Sequence, residues 1–82
     1  MPKDYSRSAL IYAEHNGIYE YTVTGRSMEY WSLYDDGFFR YRVNLDTETR
    51  EEVDHIDWQP GDEVPPFLLS PKGYPMYNYF EG

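Results

Sequence analysis

Six acidic side chains, one arginine and one histidine fall within the thirteen residues 46–58 (DTETREEVDHIDW), a set with metal-ligand chemistry. Carboxylates would hold calcium or magnesium, and His55 would add a ligand for a transition metal. The spacing does not fit an EF-hand loop, because Glu51 stands where the sixth position needs glycine. In a strand, Asp54 and Asp57 also point to opposite faces. We therefore predict no metal site, and interpret the stretch as the charged edge of a sheet or a docking surface for a basic protein.

Two arginines precede this stretch in the alternating pattern FFRYRVNL. Alternation places Arg40 and Arg42 on one face, and a hairpin would bring Glu52 and Asp54 opposite them, each pair contributing about 0.2–1 kcal/mol. Alternatively, the arginines and the aromatic rings between them would stack on single-stranded bases. The net charge of −8 opposes binding to phosphates. We predict structural ion pairs and no direct nucleic-acid binding.

The chain has ten tyrosines, which divide by their neighbours in the pattern. Three are predicted to fill the core with the hydroxyl at the water boundary: Tyr19, Tyr21 and Tyr41. Three others lie on faces of mixed character, where some of them must stay exposed: Tyr12, Tyr30 and Tyr34. Large exposed rings are typical of protein interfaces.

The predicted binding surface combines exposed tyrosines with the acidic edge. Its residues are Tyr30, Tyr34, Glu51, Glu52, Asp54 and Asp57. They favour a non-enzymatic protein–protein interaction module or subunit. The charge favours a basic protein partner, and a homodimer formed through an aromatic face or an edge strand is one possible form. Two alternatives remain open. The acidic surface would imitate nucleic acid and inhibit a basic nucleic-acid-binding protein, or the aromatic face would bind a sugar or another small ligand.

Catalytic chemistry has little support in the sequence. The two histidines are His15, in a predicted turn, and His55, and no nucleophile elbow or phosphate-binding glycine loop accompanies them. Carboxylate pairs for glycoside chemistry stay open, because their separation in space is not readable from sequence. We predict no catalytic residue and no cofactor.

Short strands would position these residues, because turn signals recur about every ten residues in the pattern of an antiparallel meander. Asn16-Gly17 and Asp36-Gly37 are dipeptides that suit hairpin turns. The five predicted strands are 8–14, 18–24, 28–35, 38–45 and 50–58. A helix over 46–58 is the main alternative for the last of them.

The character of the chain changes at residue 59. Five of the six prolines fall within 60–75, which excludes a helix or central strand there. The apolar residues of this part need burial, so we predict an extended segment packed on the sheet, with 74–80 as an edge strand or an aromatic tail. The predicted fold is all-β: one domain over 1–82, with a small twisted antiparallel meander or partly open barrel at 8–58 and the proline-rich segment at 59–82.

Location and partners are bounded by composition. The 82 residues include no cysteine, and no apolar run reaches the roughly 18–20 residues that span a bilayer. The first residues, MPKDYSRS, lack the apolar core of a signal peptide. Together with the negative charge, which opposes docking on anionic lipid, these features predict a cytoplasmic protein with no membrane association.

Overall fold

The computed structural model describes residues 4–79 of the chain. The start of the N-terminal stretch and the last residue of the predicted 74–80 element lie outside the described residues. The elements are α1 (Tyr5–Asn16), β1 (Thr22–Thr24), β2 (Ser27–Tyr34), β3 (Gly37–Asn44), β4 (Thr49–Asp57), a 3₁₀ turn (Pro66–Leu68) and β5 (Asn78–Tyr79). No helix in this described range is long and apolar enough to cross a membrane.

The sheet is a meander in the order β1-β2-β3-β4, with every neighbouring pair antiparallel. Strand β5 adds to the outer edge of β2 beyond the end of β1, and it runs parallel to β2. This order and pairing confirm the prediction of a small, mostly β antiparallel meander. The sheet does not close into a barrel. The predicted strands at 28–35, 38–45 and 50–58 agree with β2, β3 and β4 to within two residues at each end, and the helix alternative for 46–58 is wrong.

The predicted first strand, 8–14, is wrong because this segment belongs to helix α1. Asp4 is the N-cap and its side chain accepts a hydrogen bond from the Ser6 amide, while Gly17 ends the helix in the left-handed conformation. Ala9 and Ala13, four residues apart on one helix face, are almost fully buried against the sheet. The predicted Asn16-Gly17 hairpin is therefore a helix C-cap.

The predicted second strand, 18–24, is reduced to Thr22–Thr24. The preceding residues cross from the helix to the sheet, and Tyr19 is 85% exposed, contrary to the predicted core role. Tyr21 and Tyr41 do pack against the core from partly buried positions.

Both faces of the sheet are covered, each at one end only. Helix α1 packs on one face, where the core consists of Ala9, Ala13, Ile18, Met28, Tyr30, Val43 and Leu45. The C-terminal segment packs on the opposite face, where Leu33, Phe38 and Leu68 are buried among Trp31, Ile56, Trp58, Val64 and Tyr77. Alternation along β2 produces this division, because even-numbered side chains face the helix and odd-numbered ones face the C-terminal segment. The prediction that this segment packs on the sheet holds for these residues, although Phe67 is 62% exposed.

Asn78 ties the C-terminal segment to the sheet. Its side chain is 2% exposed and uses all four of its hydrogen-bonding positions. The amide oxygen accepts from the backbone N–H groups of Tyr19 and Glu20, at 2.6 and 2.9 Å. The amide nitrogen donates to the carbonyl oxygens of Glu20 and Trp31, at 2.8 and 3.0 Å. One side chain thus joins three separate parts of the chain.

Candidate functional site

Four rings lie together on the helix-side face of the sheet, beyond the end that the helix covers. We call them the aromatic face: Tyr34 on β2, Phe39 and Tyr41 on β3, and His55 on β4. Helix α1 contacts β1 and β2. Val43 of β3 also packs in the core under the helix, and Phe38 of β3 packs under the C-terminal segment. Within residues 4–79, the tyrosine and phenylalanine rings of the aromatic face are partly buried, and His55 is exposed.

Cross-strand register holds these rings in contact. Phe39 is directly opposite His55, and the two rings stack with centroids 4.3 Å apart and planes within 8°. On its other side Phe39 meets Tyr34 edge-to-face, with centroids 5.4 Å apart. Both geometries are those that ring quadrupoles favour, so the row of three rings forms one continuous apolar surface.

Tyr41 extends the row toward the core. Its ring is 5.5 Å from that of buried Tyr30, and the Arg50 guanidinium carbon lies 4.3 Å above its centroid. Burial, followed by the hydrogen bond and proximity of Tyr34, raises the pKa of Tyr41 to about 12. The hydroxyl is therefore neutral at physiological pH, and the ring is already placed to accept a cation over its face.

Glycine is required where the aromatic face meets the β2–β3 turn. Gly37 lies directly opposite Asp57, and a β-carbon built on it would come 2.4 Å from the Ile56 carbonyl oxygen and 3.0 Å from the His55 ring. Only glycine leaves this space free. Its lack of a side chain allows β4 to lie close to β3 where His55 stacks on Phe39.

Two carboxylates border the aromatic face along β4. Glu52 is directly opposite Tyr41, and both Glu52 and Asp57 are exposed. Asp57 Oδ1 is 3.3 Å from His55 Nε2, so the acid lies against the end of the ring row. Glu52 and Asp57 are the rim of the aromatic face.

The other two acidic candidates on β4 face the opposite side of the sheet. Glu51 is opposite Arg42, with the nearest side-chain oxygen and nitrogen 4.0 Å apart, and Asp54 is opposite Arg40. A bulge between the pairs made by Arg40 and Tyr41 causes this separation. It inserts one extra β4 residue, so Glu52 and Asp54 do not share a face as strict alternation predicts.

The predicted ion pairs across the β3–β4 hairpin are therefore only partly correct. Arg40 Nε and Nη2 both donate to Glu29 Oε1 on β2, at 2.9 and 2.6 Å, and this replaces the predicted pairing with Asp54. Glu52 faces Tyr41 and no arginine is opposite it. Arg42 lies between Glu29 and Glu51.

The six predicted binding residues thus separate into three groups. Tyr34, Glu52 and Asp57 meet at the aromatic face; Glu51 and Asp54 lie on the opposite face; and Tyr30 is 4% exposed in the core, so its predicted exposure is wrong. Phe39 and His55, which complete the aromatic face, were not among the predicted residues. The sequence pattern could have identified them, because alternation places Phe39 on the same sheet face as Tyr41 and His55 on the same face as Asp57.

No three His, Asp or Glu side chains of the described range come together in a way that could hold a metal ion. Asp54 instead accepts a hydrogen bond from the His55 backbone N–H at 2.8 Å. No protein-family model matches the chain, and neither a curated protein nor a solved structure is significantly similar to it.

Proposed function

We propose that the chain is a non-enzymatic protein-interaction module that binds a basic protein segment on the aromatic face. The observation that carries the proposal is a row of partly exposed rings beyond the end of the sheet face that the helix covers, bordered by the carboxylates of Glu52 and Asp57. Rings of this size supply contact area at low entropic cost, which is why they are enriched in interfaces.

The charge of the chain supports a basic partner. The net charge of −8 attracts cations over long range, and the two rim carboxylates supply direct partners for lysine or arginine. The Arg50 guanidinium above Tyr41 shows that a ring of this face accommodates a cation at contact distance. A basic side chain placed against this row of rings would combine contact with a ring and an ion pair at the rim.

A second copy of the chain is a weaker candidate for this surface. Strand β4 is one edge of the sheet, and its acidic residues outnumber its arginine by four to one. Pairing two β4 edges would bring like charges together, which is how many sheets avoid self-association. We therefore propose that the partner on the aromatic face is a basic segment of a different protein. It includes a cytoplasmic location, for which the lack of cysteine is the supporting feature.

The test measures fluorescence anisotropy of a labelled arginine- and lysine-rich peptide titrated with the full chain. Glu52→Gln with Asp57→Asn removes the rim, and Glu51→Gln with Asp54→Asn is the matched control, with the same charge change on the opposite face of the same strand. The rim variant is expected to weaken binding about tenfold, or about 1.4 kcal/mol, and the control by much less.

A ring test complements the charge test. Phe39→Leu keeps apolar volume and removes the π face, and Tyr19→Leu does the same at an 85% exposed tyrosine away from the aromatic face. Only the Phe39 variant is expected to lose affinity. Equal weakening by both charge variants, or no effect of Phe39→Leu, would show that net charge alone attracts the peptide.

A further inference from the structure

A cleft of about 360 Å³ opens on the other face of the sheet, between β2 and the C-terminal segment. Its volume is within the range of small-molecule sites. Trp31 from β2 and Phe67 from the 3₁₀ turn form its aromatic corner, with ring centroids 5.6 Å apart and planes at 64°. Phe67 is 62% exposed and Met76 beside it is 44% exposed, so apolar surface remains open at the mouth of the cleft.

The walls of the cleft are fixed before any ligand binds. Asn78 bonds the backbone of Glu20 on one wall and of Trp31 on the floor. On the other wall, the Met76 amide donates to the Leu68 carbonyl oxygen at 2.8 Å. Preformed walls reduce the ordering cost of binding, which favours a specific ligand site over a surface depression.

Polar groups with unused hydrogen-bonding capacity line the same cleft. Arg40 directs Nε and Nη2 to a single oxygen of Glu29, which leaves Arg40 Nη1 and Glu29 Oε2 without hydrogen-bond partners among residues 4–79. The Trp31 indole N–H also has no hydrogen-bond partner within that range. By contrast, the indole N–H of Trp58, outside the cleft, donates to two carbonyl oxygens.

We propose that this cleft binds a carbohydrate. A sugar presents an apolar C–H face to an aromatic ring and a rim of hydroxyls that both donate and accept, which matches the aromatic corner and the mixed polar groups. The Glu29–Arg40 pair is internally compensated, so it offers planar donors and acceptors without selecting a charged ligand. Arg40 opposes a small cation, and Glu20 and Glu29 oppose an anion. The site is on the opposite face from the aromatic face and does not depend on the proposed protein interaction.

The test titrates the full chain with glucose, galactose, N-acetylglucosamine and their trisaccharides, following Trp31 fluorescence in a Trp58→Phe background and indole N–H signals by NMR. Saturable changes with a Kd of about 1 mM or tighter are expected for at least one sugar. Phe67→Ala is expected to weaken that binding at least fivefold. Tyr74→Ala, on the same segment and 66% exposed but outside the cleft, is the matched control and is expected to leave it unchanged.

Three results would overturn the proposal. These are the absence of a saturable response to every sugar, equal binding by the Phe67 variant and the parent chain, and a response to tetramethylammonium but to no sugar. The last result would assign the cleft to cations held by its rings and by Glu20. Because Phe67 is exposed, its replacement is expected to leave the fold intact, which circular dichroism checks.

Discussion

Replacing Asn78 by alanine is expected to destabilise the whole molecule more than its position near the chain end suggests. The substitution removes four hydrogen bonds at once, two to backbone N–H groups and two to carbonyl oxygens. At a net value of about 0.5–1.5 kcal/mol for each bond, the upper range of the loss is about 6 kcal/mol. Water can reach some of these partly buried groups, so we expect a loss near 3 kcal/mol.

The assay is urea unfolding followed by tryptophan fluorescence, since Trp31 and Trp58 both pack in the cluster under the C-terminal segment. For a domain of this size, a loss of about 3 kcal/mol also corresponds to a fall in Tm of roughly 12–24 °C. Asn16→Ala is the matched control, because the Asn16 side chain makes one exposed bond, to the Tyr12 carbonyl oxygen at 2.9 Å. It is expected to cost less than about 1 kcal/mol.

A free energy of unfolding that falls no further for Asn78→Ala than for Asn16→Ala would contradict this role of Asn78. A second variant, Asn78→Asp, separates the two halves of the amide. The carboxylate can still accept from the Tyr19 and Glu20 amides, but it faces the Glu20 and Trp31 carbonyl oxygens as a like partial charge. It is expected to be at least as destabilising as alanine at neutral pH.

Three further predictions follow from the sheet. Gly37→Ala is expected to cost about 2 kcal/mol or more in urea unfolding, because its β-carbon would lie 2.4 Å from a β4 carbonyl oxygen; a cost below that of an ordinary surface substitution would contradict the close approach. Glu29→Gln is expected to destabilise the chain more than Asp54→Asn, because Arg40 bonds Glu29 and not the acid directly opposite it; the reverse order would contradict the observed pairing. The raised pKa of Tyr41 stabilises the folded state fully below pH 10, and this contribution is lost as pH rises toward about 12. Ultraviolet titration at the phenolate band should show a late component that Tyr41→Phe reduces, and an unchanged late component in this variant would contradict the raised pKa of Tyr41.

The central hairpins could be predicted from the sequence because local signals agree there. Asp36-Gly37 suits the turn, and the flanking residues alternate over eight positions on each side. The ends of these strands in the structure lie within two residues of the predicted ends. The prediction of a first strand at 8–14 was wrong because, over so short a length, an apolar composition fits a strand and a helix equally.

The capping residues would have resolved that ambiguity. Asp4 just before the segment and Gly17 just after it are typical of the two ends of a helix, and Ala9 and Ala13 have the spacing of one helical face. Asn-Gly alone does not decide, because a hairpin turn and a helix C-cap both require positive φ, which Gly17 adopts at 68°.

The division of the tyrosines could not be predicted from a period of two. Tyr30 and Tyr34 share a face, but the helix reaches only one end of it, so Tyr30 is buried and Tyr34 remains at the aromatic face. The position of the bulge on β4 is likewise a tertiary feature, and it decides whether Glu52 joins Tyr41 or Arg40. The partners of Asn78 are 47 or more residues away, beyond the range of any local pattern.

The most direct test of the proposed interaction is an NMR titration of the ¹⁵N-labelled full chain with the arginine- and lysine-rich peptide. We expect saturable shifts concentrated at the four rings (Tyr34, Phe39, Tyr41 and His55) and at the rim, with little change at Glu51 and Asp54 on the opposite face. Shifts spread evenly over every acidic residue, or shifts that leave the four rings unchanged, would contradict a binding site at the aromatic face.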